Sequence, residues 1–574
     1  MDSEIRTALE GGYTRMAAWS DLLDEINVFP VADGDTGRNL RVSLAPLINP
    51  ENPNDIGRIL VQSATGNSGN IAAAFLSRFA AAETPRKLPE AARAGSLAAW
   101  QALAAPKSGT MLTVFDALAQ ELNTAGNGID GRAVDAMVDR MIDVVLATSE
   151  ALPVLKSAGV LDAGALGMFL FFEGFLRHLA GQPGHFRPIR SVFGGRLSVS
   201  EDFDADTDEA YCVDMVLRPT GDREATAARL TEIGTSVVAV PHVDDLKIHL
   251  HTPTVGKTRE QLSSLGTITR WRQERITRGQ AKVNRTGHAN AGVHVVTDAA
   301  GSLSRETAAD LGISLLDSYI VMDGRSVPES LVSPEDLYRN LRGGMRITTA
   351  QASLIERRQA YESLVSRFDS VLYLCVGSVY TGNYDTARQW VAENTAERSM
   401  AVVDTTAASG RLGLLAMDVA RFARTGQSLK FVADYARAGI GRSEELVFIG
   451  QLKYLAASGR LSKSKGFFGD LLGIKPVVTP TARGAEKVAS LRTAEDQIEF
   501  ALDRLGQRLT PDFEAEVMLQ YTDNRDWVRS RIKPILLDRL PRVAVIDQPM
   551  SLTSGVHMGP GTWAVAWLNP DSTP

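Results

Sequence analysis

Asn27-Val-Phe-Pro-Val-Ala-Asp-Gly-Asp-Thr-Gly-Arg-Asn-Leu40 concentrates more chemistry than any other stretch of this chain. It holds Asp33 and Asp35 one residue apart, on a glycine-punctuated segment behind Pro30. Magnesium usually takes only a few carboxylates and leaves its other positions to water and phosphate oxygens. A bare turn is the alternative, because Asp and Gly are common turn formers. The apolar lead-in and the Asn39-Leu40 that follows favour a loop fixed between packed elements, and thus a magnesium-nucleotide site.

The whole chain has the composition of a soluble, multidomain protein. A chain of 574 residues is too long to fold around one hydrophobic core, so about three or four domains are predicted. The net charge of −7 and the lack of a long basic run argue against a general nucleic-acid binder. Because no signal peptide or membrane-length apolar run is found, we expect a cytoplasmic protein without stable membrane insertion. With only Cys212 and Cys375, no disulfide framework is predicted.

Residues 1–195 are predicted to be helical throughout. Apolar residues recur at helical spacing in Ile56 to Leu76 and in the alanine-rich run Ala91 to Ala105. Glycine clusters interrupt this pattern at Gly66-Asn-Ser-Gly69, Lys107-Ser-Gly-Thr110 and Asp162-Ala-Gly164. A glycine turn that leads into a helix can present backbone N–H groups to phosphate, although such turns are also common without a ligand. Three of them, together with the paired aspartates, favour a phosphate site.

A second pattern follows an acidic, polar linker at residues 196–208. Glu209 to Leu217, Thr235 to Val240 and Leu246 to His251 have the pattern of strands, and Arg223 to Ile233 that of an amphipathic helix. These predict a small β-α-β-β domain. Residues 256–291 are predicted to form a helical connector and then an exposed link, Asn284 to Ala291.

Three residues of this small domain form a candidate metal site. His249 and His251 are two positions apart on a predicted strand, so both point to the same face. Together with the thiolate of Cys212 they would suit zinc. The alternative is a small core cysteine and a solvated strand face.

The last part of the chain has the pattern of an α/β domain with mainly parallel strands. The clearest strands are Val293 to Val296, Val371 to Val376, Met400 to Val403 and Leu446 to Ile449. Strand ends carry small hydroxyl residues at Thr297-Asp298, Thr348-Thr349 and Gly377-Ser378. Open α/β sheets bind ligands at the carboxyl ends of their strands, so these loops are candidates for an anion site, although small polar residues are also the usual turn formers there.

The first region resembles the nucleotide-binding subunit of dihydroxyacetone kinase and, more closely, the kinase component of bacterial fatty acid kinase. The resemblance rests on the opening stretch, Gly66-Asn-Ser-Gly69, Gly109-Thr-Met-Leu-Thr113 and Asp162-Ala-Gly164, in that order. The small domain is similar to the middle domain of the same kinase at Leu246-Lys-Ile-His-Leu-His-Thr252. In that family one cysteine and two histidines hold zinc, which maps to Cys212, His249 and His251.

From about residue 292 the chain resembles DegV-type fatty-acid-binding proteins. The matching segments are Val296-Thr-Asp298 with Leu303, Thr348-Thr-Ala-Gln-Ala-Ser353, Gly377-Ser-Val-Tyr-Thr-Gly-Asn-Tyr384, Ser458-Gly-Arg-Leu-Ser462, Gly473-Ile-Lys-Pro476 and His557-Met-Gly-Pro-Gly561. The two resemblances imply a multidomain fold: an all-α ATP-binding domain (1–195), a small α+β middle domain with its connector (205–285), and a C-terminal α/β DegV-like domain (291–574). A kinase and its acyl-carrying partner would thus be fused.

The resemblance also implies a set of functional residues. Asp33 and Asp35 would hold magnesium, with Asn27 or Asn39 as further ligands. Contacts to ATP are expected from Asn39, Gly66, Asn67, Ser68, Gly69, Thr110 and Asp162. The fatty acid would be bound by Thr349, Ser378, Thr381 and His557, of which Thr349 and Ser378 would hydrogen-bond the carboxyl. Arg460 and His557 would place positive charge where the acyl phosphate forms.

The implied activity is ATP-dependent phosphorylation of a fatty acid to an acyl phosphate, with ATP and Mg²⁺ and with zinc as a candidate cofactor. A homodimer and an acyltransferase that receives the product are candidate partners. Some residues depart from the family patterns: Thr65 replaces an arginine before Gly66, Ala299 replaces a serine after Thr297-Asp298, and Gly377 and Val379 to Asn383 vary the pattern Ser-Ser-x-Leu-Ser-Gly-Thr. The alternatives are a lipid-binding or regulatory protein with an inactive kinase half, and a kinase for a small polyol such as dihydroxyacetone.

Overall fold

The computed structural model describes residues 2–48, 55–126, 129–200, 202–203, 210–276, 292–322, 325–394, 399–457, 474–509 and 515–569. The chain divides into two compact units, Met1–Thr286 and Gly287–Pro574, and each is described by itself. Several predictions lie outside the described residues: Arg460 with its motif 458–462, Gly473, the linker positions 204–208 and the link 284–291.

The first part of unit 1 is helical, as predicted. Its helices α1–α11 are Ser3–Ala17, Ser20–Glu25, Thr36–Leu44, Ile56–Ser63, Gly66–Phe79, Leu88–Ala102, Met111–Ala125, Gly131–Ala151, Pro153–Ala158, Ala163–Leu179 and Ile189–Phe193. Helix α10 is buried from Ala163 to Arg177. Because it is buried on all sides and mostly apolar, it forms the centre against which the other helices pack.

The predicted helical run from Ile56 to Leu76 is divided at Ala64-Thr65 into α4 and α5. Helix α5 begins at Gly66, so the cluster Gly66-Asn-Ser-Gly69 is its first turn, not a loop that precedes it. Gly66 has a φ of +65°, and a Cβ atom there would lie 1.9 Å from the Asn39 side-chain nitrogen. Glycine is therefore required at this helix start by both conformation and space.

The second part of unit 1 is a four-stranded antiparallel sheet. Its elements are β1 (Ala210–Pro219), α12 (Arg223–Arg229), β2 (Thr235–His242), β3 (Asp245–Thr252), α13 (Val255–Ser263) and β4 (Gly266–Ile276), with strand order β2-β3-β1-β4. The three predicted strands are present. The prediction of a wholly helical connector was wrong, because β4 pairs with β1 along the sheet edge. Charged residues dominate this edge strand and concealed its pattern.

Unit 2 is an α/β structure, as predicted. Its strands β5–β17 are His294–Asp298, Ile313–Leu316, Tyr319–Met322, Arg325–Pro328, Ile347–Ala350, Ser370–Cys375, Ser399–Asp404, Ser443–Phe448, Lys475–Thr481, Gly484–Leu491, Glu516–Tyr521, Ala544–Pro549 and Trp563–Leu568. Its helices α14–α24 are Arg305–Asp310, Pro334–Arg342, Leu354–Arg367, Asn383–Glu393, Ser409–Ala423, Leu429–Arg442, Leu452–Ala457, Ala494–Arg508, Arg525–Trp527, Lys533–Arg539 and Leu552–Met558.

These strands form three sheets: a parallel one of order β11-β10-β5-β6, a six-stranded one of order β14-β13-β12-β17-β15-β16, and a small one of order β8-β7-β9. Mainly parallel pairing holds for the first sheet only. The predicted strand Leu446 to Ile449 belongs to the second sheet, where β12 runs antiparallel to both neighbours. Helix α18 contributes Leu412 and Met417 to a core shared with strands of the first two sheets. Among the described residues, no helix combines the length and apolarity needed to cross a bilayer.

Candidate active site

The start of α3 leaves the Asp35 carboxylate free of the usual capping role. Asp35 occupies the N-cap position, yet its side chain accepts no capping hydrogen bond. Asp24 caps the helix instead: its Oδ1 accepts from the Gly37 N–H at 2.6 Å and from the Arg38 N–H at 3.1 Å. Asp24 was not predicted, and no local signal linked it to the opening stretch.

Asp33 is held by the asparagine that begins this stretch. The Asn27 side-chain amide donates to Asp33 Oδ1 at 3.0 Å and to the Val31 carbonyl at 2.7 Å. The Thr36 hydroxyl in turn donates to the Asn27 side-chain oxygen. Asn27 therefore positions Asp33 through its side-chain N–H groups, while its side-chain oxygen accepts from Thr36.

Burial and mutual repulsion disfavour charge on the two aspartates. Burial, followed by the charge of Asp35, raises the pKa of Asp33 well above its usual range. Burial also raises the pKa of Asp35, against the opposing effects of an Asn39 hydrogen bond and the nearby His249. A bound cation would relieve this repulsion, so the pair fits a divalent metal.

The predicted zinc ligands meet on one face of the middle sheet. Cys212 pairs directly with His251 across β1 and β3, and Asp214 pairs with His249. Cys212 Sγ lies 3.3 Å from His251 Nε2, and the ligating atoms of the three predicted residues lie within 4.8 Å of one another. Both ring nitrogens of His249 and Nδ1 of His251 are buried and lack a hydrogen-bond partner in the part of the chain that the structure describes.

The protonation of these residues follows from their surroundings. Burial, aided by His249, lowers the pKa of His251 to about 3, which keeps this imidazole in the neutral form that metals bind. Burial raises the pKa of Cys212, and the charges of Asp33 and Asp35 act in the same direction. The thiol is therefore close enough to the paired aspartates to feel their charge.

Asp214 joins this sheet face to the helical domain, and it was missed from the sequence. It accepts hydrogen bonds from the Gly66 N–H at 3.1 Å, the Thr65 hydroxyl at 3.3 Å and the Asn70 side chain at 3.2 Å. His249 Nδ1 lies 3.3 Å away. Its position two residues after Cys212 on the same strand face was the signal available.

The ionised form of Asp214 is stabilised in spite of burial. Burial acts to raise its pKa, but His249, Lys247 and the Gly66 amide together hold that pKa well below the usual range. Lys247 Nζ lies 3.5 Å from Asp214 Oδ1. The Asp214 carboxylate, with its ionised form favoured, thus links β1 to the start of α5.

The two predicted sites line a single cavity of about 420 Å³ in unit 1. The predicted residues that line it are Asn27, Asp33, Asp35, Gly66, Asn67, Ser68, Thr110, Asp162, Cys212, His249 and His251. A smaller cavity of about 30 Å³ shares Asp33, Asp35, Gly66, Cys212 and His249 with the larger one. The candidate magnesium and zinc ligands, predicted in separate domains, therefore adjoin.

Some predicted nucleotide contacts have structural roles as well. Asn39 lines only the smaller cavity. Gly69 lines neither described cavity, and a Cβ atom there would lie 2.0 Å from Ser43 Oγ, so its small size serves helix packing. Thr110 and Asp162 are the N-caps of α7 and α10. Burial raises the pKa of Asp162 to about 6, although backbone amides, including that of Ala165, act to lower it.

The second candidate site lies in unit 2 and joins β9 to α24. The Thr349 hydroxyl and His557 Nε2 are 2.9 Å apart. His557, Thr381 and Tyr380 line a mostly apolar cavity of about 80 Å³. Ser378 is exposed and is absent from this lining, and its N–H donates to Asp404 at 3.1 Å. The structure thus brings Thr349 to His557 and places Thr381 in the same cavity wall as His557, but it does not bring Ser378 there.

Two buried carboxylates lie at this cavity or contact a residue that lines it. Glu445 lines the cavity, and burial raises its pKa to about 7 although Gln520 donates a hydrogen bond to it at 2.7 Å. Burial likewise raises the pKa of Glu329 to about 7, and this side chain accepts from the N–H and the hydroxyl of Thr553 at the start of α24. The strand-end Asp298 is fully buried and accepts from Tyr373, so it is part of the fold's interior.

Comparison with known protein families assigns all three regions. Residues 30–177 match a DAK2 domain, residues 208–283 match the FakA-like middle domain of fatty acid kinases, and residues 292–569 match an uncharacterised protein family called DegV.

Individual relatives match parts of the chain. A DegV domain-containing protein of Caldanaerobacter subterraneus is 27% identical over 272 residues, which are 47% of this chain and 95% of that protein. Protein YloV of Bacillus subtilis is 26% identical over 358 residues, which are 56% of this chain and 64% of YloV.

Solved DegV-family structures also resemble part of the chain. One from Thermus thermophilus, whose title names fatty acid binding, is 22% identical, with a TM-score of 0.45 over 48% of this chain and 99% of that protein. One from Bacillus subtilis, titled a fatty acid binding protein, is 19% identical, with the same TM-score and coverage. The assignment by family is the more specific: this chain carries a DAK2 domain, a FakA-like middle domain and a DegV domain in one polypeptide.

Proposed function

We propose that this protein is an ATP-dependent fatty acid kinase that transfers the γ-phosphoryl group of ATP to the carboxylate of a fatty acid held by its DegV domain. The observation that carries the proposal is the single cavity of unit 1, in which Asp33 and Asp35 adjoin the first turn of α5. The DAK2 and fatty acid kinase-like regions support a kinase. The product would be an acyl phosphate.

Asp33 and Asp35 fit Mg²⁺ as its ligands, because both are buried and repel each other when charged. When held by these residues, Mg²⁺ would offset the negative charge of the phosphates. Asn27 and Asp24 serve the pair indirectly. The first fixes Asp33, and the second caps α3 so that Asp35 keeps its carboxylate for the cavity.

The start of α5 would contact the phosphates of ATP. The Gly66 N–H is already taken by Asp214. The N–H groups of Asn67 and Ser68, the next in the first turn, are therefore the donors that we assign to phosphate, since the first amides of a helix have no partner within it. The Ser68 hydroxyl donates to the Thr36 carbonyl at 3.4 Å and would have to turn from it to reach a phosphate. Thr110 lines the same cavity and would add a further polar contact, although its hydroxyl also donates to the Lys107 carbonyl at 2.9 Å.

The acceptor requires little acid–base chemistry. A carboxylate is ionised near neutral pH, so no general base has to remove a proton. The site has to position it and to offset its repulsion from the triphosphate, which is the main requirement of phosphoryl transfer. In unit 2, Thr349 and His557 would bind the carboxyl group, with Thr381 in the cavity lining that it shares with His557. Arg460 stays a prediction for positive charge.

Cys212, His249 and His251 fit zinc by their donor types and by the buried ring nitrogens that lack partners among the described residues. Asp214 would orient His249 through Nδ1, as carboxylates commonly do for metal-bound histidines. We assign this cluster the role of fixing the sheet face beside Asp33 and Asp35.

A lipid-binding protein without kinase turnover is the second candidate. It is favoured by Thr65, whose hydroxyl donates to Asp214 and which replaces a family arginine. Incubation of the full chain with Mg²⁺, ATP and palmitate, followed by hydroxylamine trapping, separates the two. Palmitoyl hydroxamate that disappears in Asp33→Asn supports the kinase; bound palmitate without ATP consumption supports the second candidate, and phosphorylation of dihydroxyacetone instead of palmitate supports a polyol kinase.

A cytoplasmic location, a homodimer and delivery of acyl phosphate to an acyltransferase belong to the fatty acid kinase proposal.

A further inference from the structure

The cavity of unit 1 has an acidic end and an apolar end. Asp33, Asp35, Cys212 and His249 also line the smaller cavity, so they mark the end where the two cavities meet. The apolar lining residues Phe29, Leu103, Ala104, Met111 and Val237 do not line the smaller cavity. The same holds for Lys107, Thr110 and Asp162, so the lining that belongs to the larger cavity alone is rich in apolar side chains and also carries polar ones.

The two domains of unit 1 build this apolar end together. The Ala104 N–H donates to the Val237 carbonyl at 3.3 Å, and Leu103 forms a β-bridge with Val238. The chain segment after α6 is thus paired with β2 of the middle sheet. The wall is continuous across the two domains because backbone hydrogen bonds join them.

The part of β2 that lines the cavity is irregular and strained. The pairing of β2 with β3 shifts between Thr235 and Val238, which is a β-bulge. Within it, Ser236 has a φ of +52°, a conformation that non-glycine residues rarely adopt. Bulges and strained residues recur beside binding sites, where they direct side chains. Here the bulge places Ser236 and Val237 in the cavity wall.

We propose that this apolar end binds the base of the nucleotide, and that the β2 bulge of the middle domain is the element that recognises it. The inference rests on the proposed function, because it takes the acidic end as the phosphate site. A nucleotide has a charged phosphate end and a flat, largely apolar base, which matches the division of the cavity. Phe29 is half-buried in the same stretch as Asp33 and offers an aromatic face for stacking.

The arrangement also connects nucleotide binding to the packing of the two domains. A base held between the Leu103–Ala105 segment and the bulge contacts both partners of the Ala104–Val237 hydrogen bond. Binding then stabilises their pairing, since a ligand stabilises the state that it prefers. The middle domain would thereby select the nucleotide as well as carry the cysteine and histidines.

The test compares a ligand that has a base with one that lacks it. Calorimetry would measure binding of Mg²⁺-ATP and of Mg²⁺-tripolyphosphate to the full chain and to Ala104→Trp. Ala104 is exposed and lines the cavity, so an indole there fills the base site with little demand on the fold. We expect ATP binding to weaken by about tenfold or more, and tripolyphosphate binding to change by less than about twofold.

Ala94→Trp is the matched control, because Ala94 is exposed on α6 and does not line the cavity. A second variant, Val237→Thr, keeps the side-chain shape and adds a hydroxyl to the wall; Val240→Thr makes the same change on β2 outside the cavity.

Equal weakening of both ligands by Ala104→Trp, or equal affinity of the wild-type chain for ATP and tripolyphosphate, would overturn the inference. A wild-type chain that binds neither ligand would contradict the proposed kinase itself.

Discussion

Asp214 accepts a hydrogen bond from the N–H of Gly66 at 3.1 Å, and this bond joins the strand of Cys212 to the helix that begins the candidate phosphate site. The same carboxylate lies 3.3 Å from His249 Nδ1. One charged side chain thus connects the candidate metal cluster of the middle sheet to the first turn of α5. Substitutions at this connection and at the paired aspartates can separate their roles.

Removing one charge of the aspartate pair should separate activity from stability. In Asp35→Asn the repulsion with Asp33 is gone, so we expect a melting temperature equal to or above that of the wild type when Mg²⁺ is absent. Addition of Mg²⁺ and ATP should raise the melting temperature of the wild type only, because ligands stabilise the state they bind. Asp24→Ala is the contrast: it removes the α3 cap and should cost about 1 kcal/mol of stability. A large loss of stability in Asp35→Asn would show that its role is structural.

Zinc content tests the metal cluster of the middle sheet. The chain has two cysteines, and only Cys212 lies beside histidines; Cys375 is buried in unit 2. We expect elemental analysis to find zinc in the wild type and in Cys375→Ala, and to find none in Cys212→Ala, because a three-ligand set rarely keeps its metal after the loss of a thiolate. Equal zinc content in the two variants would exclude this cluster as the site.

Asp214→Asn tests the link between the two sites. Asparagine keeps the size of the side chain and loses its charge, so the contacts with His249 and Lys247 weaken. Loss of a carboxylate that orients a metal-bound histidine typically weakens metal binding by about 10- to 100-fold. We expect such a loss in a zinc competition titration with a chelator, together with weaker binding of Mg²⁺-ATP. Unchanged zinc affinity would leave Asp214 as a packing contact only.

Unit 2 should lose stability between about pH 4.5 and pH 7. The buried Glu445 has a pKa of about 7, against 4.5 when unfolded, so the folded state binds its proton more tightly. The unfolded state then ionises first as the pH rises, and the free energy of unfolding falls, with Glu445 alone contributing at most about 3 kcal/mol at 1.36 kcal/mol per pKa unit. Chemical unfolding followed by the fluorescence of the buried Trp563 measures this fall.

Glu445→Gln should reduce that pH dependence, because the substitution mimics the neutral acid. The difference in unfolding free energy between wild type and variant is expected to be constant below about pH 4.5 and to move in favour of the variant up to about pH 7. A difference that does not change with pH would show that Glu445 keeps an ordinary pKa. Glu329 remains in both proteins, so its own contribution cancels in the comparison.

Adjacent threonines test the acyl site of unit 2. Thr349 contacts His557, whereas its neighbour Thr348 is exposed on β9. Thr349→Val keeps the side-chain shape and removes the hydroxyl, so we expect palmitate to bind about tenfold more weakly, the loss of about one hydrogen bond to a charged group. Thr348→Val should bind palmitate as the wild type does. The same affinity in both variants would remove Thr349 from the carboxyl site.

The sequence was most informative where function is carried by short local patterns. Asp33, Asp35, Cys212, His249 and His251 could each be selected from spacing or resemblance. Their convergence on one cavity could not, because it depends on how the middle sheet packs on the helices, and no local pattern encodes that contact.

The residues that were missed have physical reasons of their own. Asp24 is eleven positions before Asp35 and acts through helix capping, which sequence spacing does not reveal. Asp214 could have been found from its two-residue spacing to Cys212. Strand β4 was hidden because an exposed edge strand has little apolar alternation. The helix start at Gly66 was obscured by its glycines, which serve close packing against Asn39.

The most direct measurement is acyl phosphate formation by the purified full-length chain. With Mg²⁺, ATP and palmitate, followed by hydroxylamine, the account predicts palmitoyl hydroxamate and an equal amount of ADP from the wild type, with a loss of at least about 100-fold in Asp33→Asn, because positioning and charge neutralisation supply most of the catalysis. Bound palmitate with no ADP formed, or ADP and hydroxamate formed equally by Asp33→Asn, would contradict it.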